Sequence, residues 1–394
     1  MAAALPRLRR HHERGIRHDF ATMSQWRSLT CVVAALSCSR QASTPVEPAS
    51  PATASPAVFK GTSDSVAFVA GQQGFSRDQG VIEGLARWGN EIVALSRPPC
   101  RLNLDSRACE PISNPLLGQV LAVGGDTVRF AAGTRGGRPA LVRERDGKWE
   151  DVALPAPAVG RGLAPVALAA SGEEVALLEV PPRDEPGNAL FNARHQETWS
   201  TTDLPPQGPS AIPKHVVFAR GRWLLGYNSG EWGGELRSIA PGGAVTALLD
   251  GDPITGIAVA PDGRVYVSTG LAHLGGVQAH IGSLDRDWKW TTLFRISNFH
   301  EDNGVGWNLE PDTVTGLSVD AAGRLYLLTG SQGVVREDGG KLVSVTPGWP
   351  RGHLYGKGLL IERDTAVVGT FDSGVVLWKL GTDQGRRIEV PARR

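Results

Sequence analysis

Long apolar runs, lysine, cysteine and charge of one sign are all scarce in this chain of 394 residues. The apolar stretch at residues 29–36 is eight long, too short to cross roughly 30 Å of hydrocarbon as a helix. The formal net charge is +1 and no block of like charge runs through the body, so electrostatics points to no nucleic-acid partner. Four Cys are too few for a disulfide-dense domain. Helix-period stretches with caps are nearly missing, and 49 Gly and 27 Pro recur too often for long helices. Sites of common chemistries are missing as well. There is no G-x-S-x-G elbow, no H-E-x-x-H, no phosphate loop and no D-x-D-x-D calcium loop. No nucleophile, base and orienting group stand together in the sequence, so a catalyst is not the expected reading and no cofactor is implied.

Three segments divide the chain: a leader over 1–38, a linker over 39–60 and a body over 61–394. Residues 1–22 carry Arg7, Arg9, Arg10, Arg14 and Arg17 before Met23. Either Met23 is the true start, or the segment is an organelle transit peptide, against which Glu13 and Asp19 argue. From Met23 the order is that of a secretory signal, with Arg27 ahead of the apolar run. Ala35-Leu36-Ser37-Cys38 resembles a bacterial lipobox, with Ala then Leu where that motif usually has Leu then a small residue. The resemblance implies lipidation at Cys38, hence an exported protein of the cell envelope whose contact with the membrane is through a lipid anchor. Residues 39–58, SRQASTPVEPASPATASPAV, hold almost no large apolar side chain and read as a flexible tether. Cys31 falls within the signal, which leaves Cys100 and Cys109. In an exported chain a close, even pair reads as a disulfide.

The body repeats. ITGIAVAPDGRVYVSTG (254–270) has a near copy in VTGLSVDAAGRLYLLTG (314–330). Each is an alternating apolar run, a short Gly-bearing turn and a second apolar run, the pattern of a β-hairpin. Weaker copies turn near 89, 125, 172, 221 and 363, making seven hairpins at a mean step of about 46 residues. Further short strands follow each one, as around Asp146-Gly147 and Gly339-Gly340. Four short strands per 40–50 residues predict an all-β fold, a β-propeller of seven four-stranded blades. The run TGLSVDAAGRLYLLTGSQGVV (315–335) resembles blades of the NHL and two-component-regulator propeller class, most clearly over 254–390. A strand at 65–70 is left over, and is expected to complete the last blade and cover its open edge.

In such a fold the connections from second to third strand, and from last strand to next blade, emerge on one face. Three of them carry exposed-type aromatics among carboxylates and amides, a kit suited to a sugar or a peptide. The first, 226–235, holds Asn228, Glu231, Trp232 and Glu235. The second, 297–312, holds His300, Asp302, Asn303, Trp307 and Glu310. The third, 348–357, holds Trp349, Arg351, His353 and Tyr355. Each has a plainer reading: Trp232 and Trp307 as plugs of the channel mouth, the carboxylates as solvated loop charges, and His215 as a channel residue. The expected ligand is therefore a protein or a glycan, held without catalysis. The alternative is a metal-dependent lactonase- or esterase-like propeller using Asn228, Glu231, Asp302 and Asn303 as oxygen ligands. Against it, no matching acid or amide stands at the starts of the strands near 85, 120, 165 and 359.

Overall fold

The structure, a computed structural model of the chain, describes residues 84–88, 91–95, 99–106, 108–113, 116–124, 128–155, 164–180, 188–205, 212–273, 276–297, 313–330, 332–350, 356–370 and 374–389. The leader, Cys38, the linker and the expected strand at 65–70 lie outside them. So do the candidate residues His300, Asp302, Asn303, Trp307, His353 and Tyr355.

The described residues form seven antiparallel sheets of four consecutive strands. Blade 1 is β1 (Gly84–Trp88), β2 (Glu91–Leu95), β3 (Cys100–Asn103) and β4 (Ala108–Pro111). Blade 2 is β5 (Leu117–Gly124), β6 (Val128–Arg135), β7 (Arg138–Arg145) and β8 (Lys148–Val152). Blade 3 is β9 (Ala164–Ser171), β10 (Glu174–Val180), β11 (Ala189–His195) and β12 (Thr198–Leu204). Blade 4 is β13 (His215–Ala219), β14 (Arg222–Asn228), β15 (Gly234–Ile239) and β16 (Val245–Asp250). Blade 5 is β17 (Ile254–Val259), β18 (Val265–His273), β19 (Gly276–Leu284) and β20 (Trp290–Ser297). Blade 6 is β21 (Val314–Val319), β22 (Leu325–Thr329), β23 (Gly333–Asp338) and β24 (Lys341–Ser344). Blade 7 is β25 (Gly356–Glu362), β26 (Thr365–Thr370), β27 (Gly374–Lys379) and β28 (Gly385–Glu389). The first strand of each blade touches the first strand of the next, and β25 touches β1, so the sheets stand in a ring. The protein is a seven-bladed β-propeller, and each of the seven expected hairpins is the inner pair of one blade.

Alternation along the strands explains why blades stack. Successive side chains of a strand point to opposite faces. In β22, Leu325 and Leu327 pack toward blade 5, while Tyr326 and Leu328 pack toward blade 7. In β14, Trp223, Leu225 and Tyr227 face blade 3, and Leu224 faces blade 5. A strand apolar on both faces needs a neighbour on both sides, which only a closed ring supplies to every blade. Seven hydrophobic clusters result, each spanning one pair of adjacent blades. Burying one Leu or Phe fully is worth about 2 kcal/mol. Between blades 1 and 2 a charge joins the apolar contact: Arg129 pairs with Glu144, with its guanidinium 3.4 Å from the ring centre of Trp88.

Ring closure is made by side chains. Leu85, Ile92 and Leu102 of blade 1 interlock with Leu360, Val367, Val375 and Ile388 of blade 7. Arg87 spans the same seam, pairing with Glu362 and donating a 3.5 Å hydrogen bond to the carbonyl of Ile361. The last sheet takes all four of its strands from residues 356–389, so it reaches the blade count of the others without residues 65–70. Cys100 and Cys109 are disulfide-bonded between β3 and β4, with Cα atoms 5.5 Å apart. Cys100 belongs to the seam cluster and Cys109 packs against it. The bridge therefore braces the outer half of blade 1 where it meets blade 7. Replacing both cysteines (Cys100→Ser with Cys109→Ser) is expected to lower stability by about 2–3 kcal/mol. Urea unfolding checks this, and a midpoint equal to that of the wild type would contradict it.

Candidate functional site

Strand direction puts the connections β14–β15, β16–β17 and β18–β19 on one face of the ring, at the junction of blades 4 and 5. The first carries Asn228, Glu231 and Trp232. After β14 the chain makes a single 3-10 turn at Gly230–Trp232. Asn228 builds that turn. Its Oδ1 accepts from Gly230 N–H at 3.0 Å, and its Nδ2 donates to the carbonyl of Ile254 at 3.3 Å, across the blade boundary. Ser229 N–H then donates to the Gly233 carbonyl at 2.9 Å and closes the loop. Two glycines are required next. Gly233 has φ of +87°, and a Cβ there would lie 2.5 Å from the Gly251 carbonyl oxygen. A Cβ on Gly234 would lie 2.3 Å from the Tyr227 carbonyl oxygen. The loop is thus pressed onto the 251–253 connection.

Trp232 is 72% exposed, the only exposed Trp, Tyr or Phe among the described residues. It stands at a cavity of about 430 Å³. Glu231, Trp232 and Gly233 line one wall, Asp252 and Pro253 the second, and Thr269, Leu271, Gln278 and His280 the third. His280 Nδ1 lies 3.5 Å from Asp252 Oδ2, which ties the second wall to the third. The third wall is missing from the sequence-based candidates. It comes from β18 and β19, nine residues each, which pair out to His273 opposite Gly276. The legible signal was the surplus length of the apolar runs in 265–284 over those of the copy at 325–338.

Other expected site residues fall elsewhere. Glu235 is in β15, 9% exposed and paired with Arg237, not in the loop. Trp349 is a core residue, 5% exposed, with its ring 5.2 Å from that of Trp378 between blades 6 and 7. Sequence gave it the look of a loop aromatic, but the chain after β24 folds back over the blade before leaving it. His215 starts the inner strand of blade 4, and burial together with the neighbouring Lys214 pushes its imidazole down to about 4. It is neutral at physiological pH, as a channel residue without a charge partner would be. Among the described residues, no group of three or more His, Cys, Asp or Glu is arranged to hold a metal ion.

One buried acid is unlike the rest. Glu179, at the end of β10, has no solvent exposure. Asn192 Nδ2 donates to its Oε2 at 2.7 Å, and Thr201 Oγ1 donates to Asn192 Oδ1 at 2.8 Å. Its Oε1 is buried without a partner among the described residues. Burial raises the carboxyl from 4.5 to about 7, with the Asn192 hydrogen bond opposing the shift.

No family model matches the chain, and no curated protein matches it. Solved structures do. A GH74 xyloglucanase from Xanthomonas campestris aligns with a TM-score of 0.50 at 14% identity, over 81% of this chain and 53% of the other. A chain described as the extracellular domain of a hybrid two-component system from B. thetaiotaomicron aligns at 0.44 and 10%, over 80% and 40%. The WD40 β-propeller domain of Doa1 aligns at 0.43 and 11%, over 82% and 97%. The likeness to the xyloglucanase, at 14% identity, is one of fold alone.

Glu179 generates a pH prediction. The folded state keeps a proton that the unfolded state has lost, so its contribution to stability is present below about pH 4.5 and is lost as pH rises to about 7. A shift of that size corresponds to roughly 3 kcal/mol. The wild type is expected to melt about 4–6 °C lower at pH 8 than at pH 5 from this group. Glu179→Gln, which keeps the shape without the charge, is expected to remove that difference. Equal slopes of Tm against pH in the two proteins would refute the assignment.

Proposed function

We propose that the protein is an exported, lipid-anchored propeller that binds a protein or glycan at the blade 4–blade 5 face and catalyses nothing there. The observation that carries the binding role is Trp232. Exposing an indole costs hydrophobic free energy, and the loop that presents it is braced by Asn228, Gly233 and Gly234. A rigid exposed aromatic beside a cavity with carboxylates, an imidazole and a carboxamide offers a flat apolar surface with fixed polar groups around it. Rigidity matters because little conformational entropy is then lost on binding. Asn228 enters this reading as the residue that positions the loop, and Glu231 and Trp232 as those that meet the ligand.

Export and anchoring rest on the sequence around Cys38 and are supported by the Cys100–Cys109 disulfide, since such bonds persist in oxidising compartments. The propeller would then stand away from the membrane on the Pro-, Ser- and Ala-rich segment 39–58, free to present one face.

Two experiments test the reading. Binding of the full chain to arrays of glycans and peptides is expected to fall about tenfold in Trp232→Ala, with thermal unfolding unchanged. Equal array signals from the two proteins would remove the site. In a bacterial host, Cys38→Ser is expected to abolish the lipid mass on the N-terminal peptide and release the protein from the membrane fraction. An unmodified Cys38 peptide from the wild type would refute the anchor.

A further inference from the structure

The charge of the cavity narrows the ligand. Its ionisable lining is two carboxylates, Glu231 and Asp252, and one imidazole, His280; no Lys or Arg lines it. Arg237 is held by Glu235 within blade 4. Arg295 stands opposite His280 on β20 but does not line the cavity.

An indole face is the strongest of the aromatic surfaces for a cation, because its π electrons present negative charge. Carboxylates beside it add Coulomb attraction and charge-assisted hydrogen bonds to a donor held against the ring. A neutral sugar also stacks on indole but takes no net Coulomb gain from a negative wall. An acidic ligand is repelled. The third wall supplies the apolar contact that a long side chain needs: Leu271 and Thr269 for a methylene stem, with Gln278 to accept a further hydrogen bond.

We infer that the blade 4–blade 5 cavity takes a basic side chain, arginine or lysine, from a protein partner, with Trp232 against the cation and Asp252 and Glu231 around it. The inference rests on the binding reading above and selects the protein over the glycan.

The test is calorimetric titration of the full chain with three probes: blocked tetra-arginine, blocked tetra-glutamate and cellohexaose. Tetra-arginine is expected to bind and tetra-glutamate and cellohexaose are not. Its affinity is expected to fall roughly three- to tenfold in Trp232→Ala and in Asp252→Asn, and to weaken between 50 and about 300 mM salt. Trp232→Phe, which keeps an aromatic face, is expected to retain most of it. Binding of cellohexaose instead, lost in Trp232→Ala and indifferent to salt, would overturn the cation assignment while leaving the binding face standing. Binding of no probe, or tetra-arginine binding unchanged in Trp232→Ala and Asp252→Asn, would overturn the inference; in the second case the cation would sit elsewhere. Thermal unfolding of each variant separates loss of the site from loss of the fold.

Discussion

Every blade depends on the seam between the last and the first. A four-stranded sheet whose inner strands are apolar on both faces cannot be stable alone, because one face would meet water. Each inner hairpin is covered from both sides only if the ring closes, and closure happens where Leu360, Val367 and Val375 meet Leu85, Ile92 and Leu102. Among the described residues no strand is hydrogen-bonded across that seam, and van der Waals contact, the Arg87–Glu362 pair and the Arg87 hydrogen bond to Ile361 join the two blades. That gives the one disulfide among the described residues its place. It lies in the seam blade, with Cys100 inside the closing cluster, where separation of the first and last blades would begin.

The blade plan was legible because it is written as period-2 alternation interrupted by glycine turns. All seven inner hairpins follow from that pattern, including weak copies such as the one at Gly89-Asn90, since the same face-to-face burial acts on each. The strand at 65–70, expected to complete the last blade and cover its open edge, lies outside the described residues. Seven complete sheets show that 356–389 suffices, as the residues of β28 follow directly from those of β27. Side-chain destinations in loops were less legible. Trp349 and Trp232 look alike in sequence, each a Trp beside a Gly in a second-face connection. Their fates differ because Trp349 has Trp378 and the blade 6–blade 7 groove beneath it, a partner about 30 residues away. Trp232 sits on a loop pressed against the 251–253 connection and stays exposed at the rim of the cavity. Long-range packing of that kind has no local signature.

The candidate site arises where the repeat is broken. In blades 6 and 7 the second strand ends in a Thr whose hydroxyl donates to a carbonyl four residues on: Thr329 to Gly333 at 3.0 Å and Thr370 to Gly374 at 2.9 Å. That bond joins the two ends of the connection. Blade 4 has Tyr227 at the corresponding place, followed by Asn228, which ends β14. The Asn228 side chain bonds forward to Gly230 N–H and across to Ile254, so the connection opens into a turn. Blade 5 keeps the Thr, as Thr269, but both strands run on for four more pairs, which raises a wall beside the opened turn. One change of hydrogen-bond pattern and one extension of strand length, on adjacent blades, frame the cavity with an exposed indole at its rim. The repeat supplies rigidity from both sides. The departures from it supply shape, and the cavity they frame is lined by two carboxylates and one imidazole, with no Lys or Arg.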